Sequence, residues 1–303
     1  MIDLRRLEAL VALHQTGTVS AAATRLRYGQ PTISHHLRRL EAETGSVLLQ
    51  RAGRGVRLTP DGERLARRGE EILGLLARAE AELAAATSLQ AGTVRLAAFP
   101  SGAATLVPAV VAALAESHPG LTLDLAEAEP PEAARLLRSG AVDLALTFAY
   151  PDQPDADEAE RVTSTPLFDD PLYLVGAPDT DLGADEEHLE RFAGTRWVTG
   201  CERCRHELLA LCAQAGYTPD IAFASDDYVA VQSLVATGLG VTLLPGLALR
   251  AHQNPTVVRR AVPGAFRRVQ VTTYGAAPHP PAVVAVATAL AEVGVPAAAG
   301  SVQ

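Results

Sequence analysis

Residues 18–40, TVSAAATRLRYGQPTISHHLRRL, constrain the possible fold of this chain more than any other segment. Thr18 or Ser20 can cap a first helix, because a hydroxyl oxygen accepts a hydrogen bond from an otherwise unpaired N–H of the first turn. Gly29 permits a sharp turn, and Pro31 stands where the first turn of a second helix tolerates proline. The segment therefore predicts two short helices joined by a tight turn.

The second of these helices has one apolar face and one polar face. Ile33, Leu37 and Leu40 are spaced four and three residues apart, so they lie on the same side. The remaining side chains can bond to base edges and phosphates, as a recognition helix in the major groove of DNA requires. They are Gln30, Thr32, Ser34, His35, His36, Arg38 and Arg39. For this segment alone, the alternative to a DNA-binding motif is an ordinary helical hairpin with a solvated polar face.

Charge is divided unevenly along the chain. Residues 1–70 hold 12 arginines against seven acidic residues, a balance of +5. Residues 71–303 hold 14 arginines against 28 acidic residues, a balance of −14, and together the two parts give the net charge of −9. A basic N-terminal module on an acidic body can attract phosphate at one end only.

Further patterns flank the helix pair. Residues 4–15 predict an amphipathic helix, and Arg54 lies in a glycine-bracketed turn between two strand-like runs. Such a hairpin has the shape of a wing, whose tip can contact a minor groove or phosphate.

Residues 60–88 predict a long helix. Small and apolar residues recur along it at alternating spacings of four and three, and this seam predicts that two chains pair as in a coiled coil. The seam consists of Leu65, Gly69, Ile72, Leu76, Ala79, Leu83 and Ala86.

From Thr93 onward, strand-like and helical stretches alternate, as they do in α/β domains. The predicted strands are residues 94–99, 121–128, 142–148, 172–175, 196–199, 221–224, 241–244 and 269–274. Among the predicted helices are residues 105–116, 132–138 and 281–293. Two α/β lobes that the chain crosses twice would leave a cleft between them, a usual place for small ligands.

With these motifs in this order, the chain resembles the LysR-type transcriptional regulators. The N-terminal region matches in QPTIS, RRLE, LLQR and RLTPDGERL, and the body is similar in VRLAAFPSGAATLVPAVVAAL, GAVDLALTF and VQSLVATGLGVTLLP. The resemblance covers nearly the whole chain. It implies an α+β winged helix-turn-helix domain at 1–59, a dimerisation linker helix at 60–90 and an effector-binding domain at 91–303. That α/β domain would resemble periplasmic binding proteins, with lobe I at 91–164 and 267–303 and lobe II at 165–266.

The chain departs from the family pattern at three places. Gly29 stands where a serine often caps the recognition helix, and Gln50 replaces the more usual aromatic residue before Arg51. His35 and His36 are less usual than arginine or glutamine, which leaves the operator sequence open. None of these changes removes the basic face.

By resemblance and by chemistry, we expect Gln30, Pro31, Thr32 and His36 to read bases. Glutamine can read adenine bidentately, and Pro31 or the Thr32 methyl can meet a thymine methyl. The complete predicted DNA-binding set is Ser20, Gln30, Pro31, Thr32, Ser34, His35, His36, Arg38, Arg51 and Arg54.

The predicted effector site gathers residues that end strands or begin helices on the two sides of the cleft. It consists of Ser101, Gly102, Thr147 and Phe148 in one lobe and Gly200, Cys201, Arg203 and Asp226 in the other. Helix starts and Arg203 favour an anionic effector, whereas Asp226 would suit a cationic group. Plain helix capping is the alternative for Ser101 and for Ser225.

The cysteines form the pattern Cys201-x-x-Cys204-x-His206, with Cys212 further along. A Cys-x-x-Cys pair can bind a metal or act as a redox pair. There is no second such pair, and buried structural thiols are the commoner case. A metal- or thiol-redox-sensing regulator that uses Cys201 and Cys204 is therefore the alternative function.

Other function classes fit less well. No nucleophile elbow, phosphate loop or metal-ligand helix motif indicates an enzyme, and we expect neither a cofactor nor a resident metal. A solute-binding protein is disfavoured by the basic head and by the lack of a visible export signal.

The sequence also indicates a compartment. It has no apolar run of about 18 residues that could span a membrane and no disulfide framework, so we expect the protein in the cytoplasm, with no membrane partner. The expected partners are double-stranded operator DNA, a small-molecule effector and further copies of the chain, in a homodimer or homotetramer.

Overall fold

The computed structural model describes residues 2–52, 55–86, 92–151, 153, 162–183, 189–275 and 277–294. The chain divides into two compact units. The first consists of Met1–Leu89 with Arg135–Ala141, and the second consists of Gln90–Ala134 with Val142–Gln303. No helix in the described ranges combines the length and the apolarity needed to cross a membrane.

The first unit contains three short helices, a hairpin and a long helix. The elements are α1 (Leu4–Thr16), α2 (Val19–Leu26), α3 (Gln30–Thr44), β1 (Leu49–Ala52), β2 (Gly55–Leu58) and α4 (Pro60–Ala86). Asp3 caps α1 and Thr18 caps α2, each by accepting backbone N–H groups of the first turn. The core is apolar and lies between the helices; it includes Leu10, Leu13, Ala22, Ile33, Leu37, Leu40 and Ala66.

The turn between α2 and α3 differs from the prediction. Gly29 has φ −73°, which any residue adopts, and it precedes α3 without a side-chain cap. The left-handed residue is Arg27, with φ 56°, which ends α2. The chain therefore reverses two residues earlier than predicted, at a residue that adopts this conformation at a steric cost.

Only part of the predicted seam on α4 is exposed. Leu65 packs against the core of this unit, and a Cβ at Gly69 would lie 2.9 Å from a Leu7 methyl carbon. Ile72 and Leu76 are exposed at 45% and 43%. Leu75, also exposed, extends the same apolar stripe; the side chains of Leu83 and Ala86 lie outside the described residues.

Close backbone contacts also hold α4 at its middle. A Cβ at Gly74 would overlap the carbonyl oxygen of Arg138, in the segment Arg135–Ala141 that belongs to the first unit. Arg78 donates to the carbonyl oxygen of Leu137 at 3.0 Å in the same region. Glycine at position 74 is therefore required by space rather than by an unusual φ.

The second unit is built on a six-stranded mixed sheet. Its strands are β3 (Gly92–Ala98), β4 (Leu121–Glu127), β5 (Leu144–Ala149), β6 (Val162–Gly176), β9 (Thr242–Pro245) and β10 (Val258–Tyr274), in the order β4-β3-β5-β10-β6-β9. β3 is parallel to β4 and β5, and the other pairs are antiparallel. A parallel pair, β7 (Arg196–Thr199) and β8 (Asp220–Ala224), is bridged to Val241 beside β9.

Strands β6 and β10 are much longer than predicted. The sequence predicted only 172–175 and 269–274, whereas the strands have 15 and 17 residues. β5 pairs with the C-terminal part of β10, and β9 pairs with the C-terminal part of β6. The two long strands therefore run through both predicted lobes, and the charged residues in their middle concealed their strand character.

Helices cover the strands of the second unit. They are α5 (Pro100–Thr105), α6 (Val107–Ser117), α7 (Pro130–Arg138), α8 (Glu202–Gln214), α9 (Tyr228–Ala236), α10 (Gly246–Ala251) and α11 (Pro281–Gly294). From Arg135 onward, α7 belongs to the first unit. The predicted helix 105–116 instead begins at Val107, because a separate short helix, α5, precedes it. Phe99, Leu146, Phe148 and Trp197 belong to one apolar core.

Candidate nucleic-acid interface and candidate effector cleft

Helix α3 separates its apolar and polar side chains as predicted. Ile33, Leu37 and Leu40 are fully buried in the first unit. Most of the predicted DNA-binding side chains are exposed or half-buried on the opposite faces: Gln30, Pro31, Thr32, Ser34, His35, His36 and Arg38. This helix can therefore lie in a groove of DNA without disturbing the packing behind it.

The starts of α2 and α3 are brought together by two of the predicted residues. Gln30 Nε2 donates to the exposed Ser20 hydroxyl at 2.6 Å, which orients the amide beside the start of α3. Arg38 is exposed, and its Nε donates to the carbonyl oxygen of Ser34 at 3.2 Å. These contacts position an amide and a guanidinium on the same exposed helix.

An aromatic group that the sequence did not predict lies beside α3. The ring of Tyr28 is 41% exposed and 5.9 Å from the ring of His36, centroid to centroid. Nδ1 of His36 is buried and makes no hydrogen bond within the described residues. In the sequence, Tyr28 could have been identified by its place in the turn, two residues before the start of α3.

The predicted wing is an antiparallel hairpin in which Leu49 pairs with Leu58 and Gln50 pairs with Arg57. Glu41 anchors its base, because the Glu41 carboxylate accepts the N–H groups of Leu48 and Leu49 at 2.9 and 3.1 Å. Arg51 is exposed on β1.

Arg57 is a second exposed arginine of the hairpin, and the predicted set did not include it. Arg54, the predicted tip of the wing, lies outside the described residues.

In the second unit, two predicted residues, Ser101 and Phe148, contact one residue that the sequence analysis missed. Arg267 on β10 is 3% exposed. Its Nη2 donates to the Ser101 hydroxyl at 2.8 Å, and its Nε donates to Asp170 Oδ2 at 3.0 Å. Its guanidinium carbon lies 4.6 Å from the ring centroids of both Phe99 and Phe148. A buried cation is thus held by one carboxylate, one hydroxyl and two aromatic faces.

The hydroxyl of Ser101 is therefore already occupied by a side chain of the protein. Gly102 is buried, and a Cβ there would lie 2.8 Å from atoms of Phe99 and Leu146. For these two positions the structure shows packing roles; their role in binding an effector remains a prediction.

Thr147 and Phe148 face opposite sides of β5, as adjacent residues of a strand must. Phe148 packs on Arg267, whereas the Thr147 hydroxyl bonds with the Thr272 hydroxyl at 2.7 Å. The two side chains therefore have different neighbours, and their role in binding an effector stays a prediction.

The start of α8 holds the thiol pair. Cys201 caps the helix and accepts the N–H of Cys204 at 3.4 Å, and the two sulfurs are 2.6 Å apart. Gly200 precedes them, close to the Cys204 side chain. Two nitrogens of the Arg203 guanidinium, Nε and Nη2, are buried without a hydrogen bond in the described structure.

Acidic groups lie beside this helix start. Burial raises the pKa of the Glu129 carboxyl above its ordinary value, Arg267 acts in the opposite direction, and the charge of Asp226 raises it further. Interaction with the Cys201 thiol lowers the pKa of the same carboxyl. Asp227, rather than Ser225 or Asp226, caps α9, since Asp227 accepts the N–H groups of Val229 and Ala230.

A metal site is not evident among the described residues. No group of three or more histidine, cysteine or acidic side chains with suitable geometry occurs among the residues described. Cys212 is fully buried within the core, and burial raises its pKa. The metal-sensing half of the alternative function therefore gains no support.

Comparison with known proteins identifies both parts of the chain. Residues 4–63 match the family model "Bacterial regulatory helix-turn-helix protein, lysR family", and residues 87–294 match "LysR substrate binding domain". The regulator TfdS of Cupriavidus pinatubonensis is 29% identical over 283 residues, which cover 90% of this chain and 92% of TfdS. A probable hydrogen peroxide-inducible genes activator of Mycobacterium avium is 34% identical over 271 residues, 87% of this chain and 85% of that protein.

Solved structures agree with these matches. CbnR, a LysR family transcriptional regulator, superposes with a TM-score of 0.63 at 21% identity and covers 96% of this chain and 99% of its own. A full-length OxyR variant from Pseudomonas aeruginosa gives 0.64 at 25% identity, with 96% and 98% covered. Both matched family models are those of DNA-binding, effector-responsive regulators rather than enzymes. The chain belongs to the LysR family of bacterial transcriptional regulators.

Proposed function

We propose that this regulator reads operator DNA with the exposed face of α3 and holds the phosphate backbone with the hairpin β1–β2. The division of α3 into a buried face and an exposed polar face is the observation that carries this proposal. Gln30, Pro31, Thr32 and His36 would contact base edges. The positioning contacts would come from Ser20, Ser34, His35, Arg38, Arg51 and Arg54, and the exposed Arg57 joins them.

Two chains would pair through α4. Ile72, Leu75 and Leu76 form an exposed apolar stripe on this helix, and burying such a stripe against its copy stabilises a dimer. A two-fold axis then places two recognition helices about 34 Å apart, one turn of DNA. A homotetramer would form from two such dimers. Because its target is DNA, we place the working protein in the cytoplasm.

The effector would bind between the two lobes that β6 and β10 connect, beside the start of α8. An anionic effector has to compete with Asp170 for Arg267, because that ion pair is already formed. Two nitrogens of the Arg203 guanidinium, Nε and Nη2, make no hydrogen bond within the described residues and would offer the effector a cation. Gly200, Cys201 and Asp226 lie near this region, while Ser101 and Phe148 support Arg267 beneath it.

Fluorescence anisotropy with labelled DNA tests the first part of this proposal. The full-length protein is titrated onto the intergenic fragment beside its own gene and onto a shuffled fragment of equal length. We expect tighter binding to the intergenic fragment and a steep loss of affinity with salt. Equal affinity for the two fragments would refute sequence-specific reading.

A thermal-shift screen of small metabolites tests the effector site. A true effector should raise the melting temperature progressively as its concentration exceeds its dissociation constant. The same compound should change the affinity for DNA, because a ligand alters an equilibrium only by binding its two states unequally. Arg203→Ala should weaken the response to an anionic effector.

A second candidate function is redox sensing through Cys201 and Cys204, favoured by the 2.6 Å separation of their sulfurs. Relatives named as hydrogen peroxide-inducible genes activators lie among the most similar proteins. Oxidation would then replace or accompany an effector as the input.

A further inference from the structure

The backbone of Tyr28 is fixed at the end of α2 by two hydrogen bonds. The N–H of Tyr28 donates to the carbonyl oxygen of Ala23 at 2.9 Å, and the N–H of Arg27 donates to that of Thr24 at 3.2 Å. With Arg27 in the left-handed conformation, these bonds form a Schellman motif that closes the helix. The motif therefore sets the place from which the Tyr28 side chain starts.

The side chain of Tyr28 does not take the usual course for this motif. The residue after the left-handed one commonly buries an apolar side chain against the helix that it closes. Tyr28 is instead 41% exposed, and its ring lies 5.9 Å from the ring of His36 on α3, tilted by 58°. Its hydroxyl makes no hydrogen bond within the described residues. Tyr28 thus presents an aromatic ring and an unpaired hydroxyl beside the recognition helix.

The contact with Tyr28 leaves one nitrogen of His36 available to DNA. Nδ1 is buried and makes no hydrogen bond among the residues described, so Nε2 is the nitrogen that can reach a base. Two rings lie beside the imidazole, Tyr28 at 5.9 Å and His35 at 6.3 Å between centroids. Because both distances are within the range of favourable aromatic pairs, these rings restrict its rotation. A fixed Nε2 is what discrimination between base edges requires.

Tyr28 also belongs to a definite flank of α3. Residues four apart on a helix are neighbours, so Thr32 and His36 share one flank, and Tyr28 extends it. Gln30, bonded to Ser20, lies on the other flank. A helix in the major groove has one strand of the DNA backbone beyond each flank, and tyrosine hydroxyls are among the groups that bind phosphate.

We propose that Tyr28 is a further DNA-contacting residue of this regulator. Its hydroxyl donates to a phosphate at the edge of the groove that α3 enters, and its ring holds Nε2 of His36 toward the bases. This inference rests on the proposed function, in which α3 reads operator DNA. Because a neutral hydroxyl displaces no counterion, the contact contributes affinity without contributing to the salt dependence.

Two substitutions separate the hydroxyl from the ring, since Tyr28→Phe removes only the hydroxyl and Tyr28→Leu removes both. Fluorescence anisotropy measures binding of the full-length variants to the labelled intergenic fragment and to the shuffled fragment at several salt concentrations. We expect Tyr28→Phe to bind both fragments about three- to tenfold more weakly, with an unchanged slope of log affinity against log salt. Tyr173→Phe, on β6 in the second unit, is the matched control and should bind as the natural protein does.

The preference among base pairs tests the role of the ring. Footprinting first locates the site on the intergenic fragment, and each of its base pairs is then changed in turn. We expect Tyr28→Leu to reduce discrimination about fivefold or more at the same base pair as His36→Ala. Tyr28→Phe, which keeps the ring, should retain the discrimination of the natural protein. A general loss of stability would not be confined to one base pair.

Each part of the proposal has its own contrary result. The phosphate contact is overturned by a Tyr28→Phe variant that binds both fragments as tightly as the natural protein, or whose salt slope changes. The role of the ring is overturned if His36→Ala loses discrimination at no base pair, or if Tyr28→Leu keeps it where His36→Ala loses it. Should Tyr28→Leu fail to fold, the affinity of Tyr28→Phe decides the proposal.

The natural protein distinguishes these failures from failure of the proposed function. If it prefers the intergenic fragment, a contrary result in the variants refutes the role of Tyr28 alone. If it binds both fragments equally, sequence-specific reading fails, and Tyr28→Phe still decides the phosphate contact. If it binds neither fragment, the proposed function and the role of Tyr28 are both refuted.

Discussion

Arg267 and Asp170 form an ion pair in the interior of the second unit, 97 residues apart in the chain, with 3.0 Å between Nε and Oδ2. Both side chains are less than 5% exposed. Asp170 also accepts the N–H of Leu247 at 3.0 Å, and the pair joins β10 to β6. The two long strands are thus tied together between the regions where β5 and β9 pair with them.

Breaking this pair should destabilise the protein strongly. Arg267→Ala leaves the Asp170 carboxylate buried without its partner, which costs about 3–5 kcal/mol in free energy of unfolding. Urea unfolding of the full chain measures the loss. The matched control is Arg268→Ala, which removes the exposed neighbouring pair with Asp169 and should cost less than about 1 kcal/mol. Similar losses for both variants would contradict the structure.

The stability of Glu129 variants should depend on pH. The folded-state pKa of Glu129 is raised mainly by burial, so ionising it in the folded protein costs stability as the pH rises through that pKa. Glu129→Gln should therefore gain stability relative to the natural protein as the pH rises above about 4. Thermal unfolding over a series of pH values measures the difference. Glu116→Gln, at an exposed position of α6, is the control. A difference that does not vary with pH would contradict the burial of Glu129.

Gly74 on α4 should not tolerate a side chain. Gly74→Ala forces a methyl group onto the Arg138 carbonyl oxygen, and overpacking of this kind costs about 1–3 kcal/mol. Gly92→Ala is the control, because a Cβ there meets nothing within 4 Å and alanine suits a strand better than glycine. The two substitutions should change the free energy of unfolding in opposite directions, as urea titration will show.

Two substitutions on α3 should separate positioning from base reading. Arg38→Ala should weaken binding to every DNA sequence and reduce the slope of log affinity against log salt by about 1. Thr32→Ala should instead change the preference among operator variants by about 1–3 kcal/mol at one base pair. Arg268→Ala, in the second unit, should alter neither property. An unchanged salt slope in Arg38→Ala would show that this arginine does not contact phosphate.

The sequence predicted elements whose periodicity is strong and whose turns are conventional. Ile33, Leu37 and Leu40 identified the buried face of α3, and the glycine-bracketed run identified the wing. The left-handed conformation of Arg27 was not predicted, because arginine rarely adopts it and the neighbouring residues do not indicate it.

The centre of the second unit was harder to predict, because its residues are distant in the chain. Asp170 and Arg267 each stand in a charged pair of residues, Asp169-Asp170 and Arg267-Arg268, which resembled loops. The two pairs are complementary in charge and meet in register on adjacent strands. That complementarity was the available signal, although only the fold shows which arginine is buried and that Ser101 is its partner.

The salt dependence of DNA binding is the sharpest test of whether this regulator reads operator DNA. Full-length protein is titrated onto a labelled intergenic fragment at several salt concentrations, with a shuffled fragment beside it. We expect preferential binding to the intergenic fragment and a linear fall of log affinity with log salt, as release of counterions from several phosphates requires. Failure to bind either fragment even at low salt would contradict it.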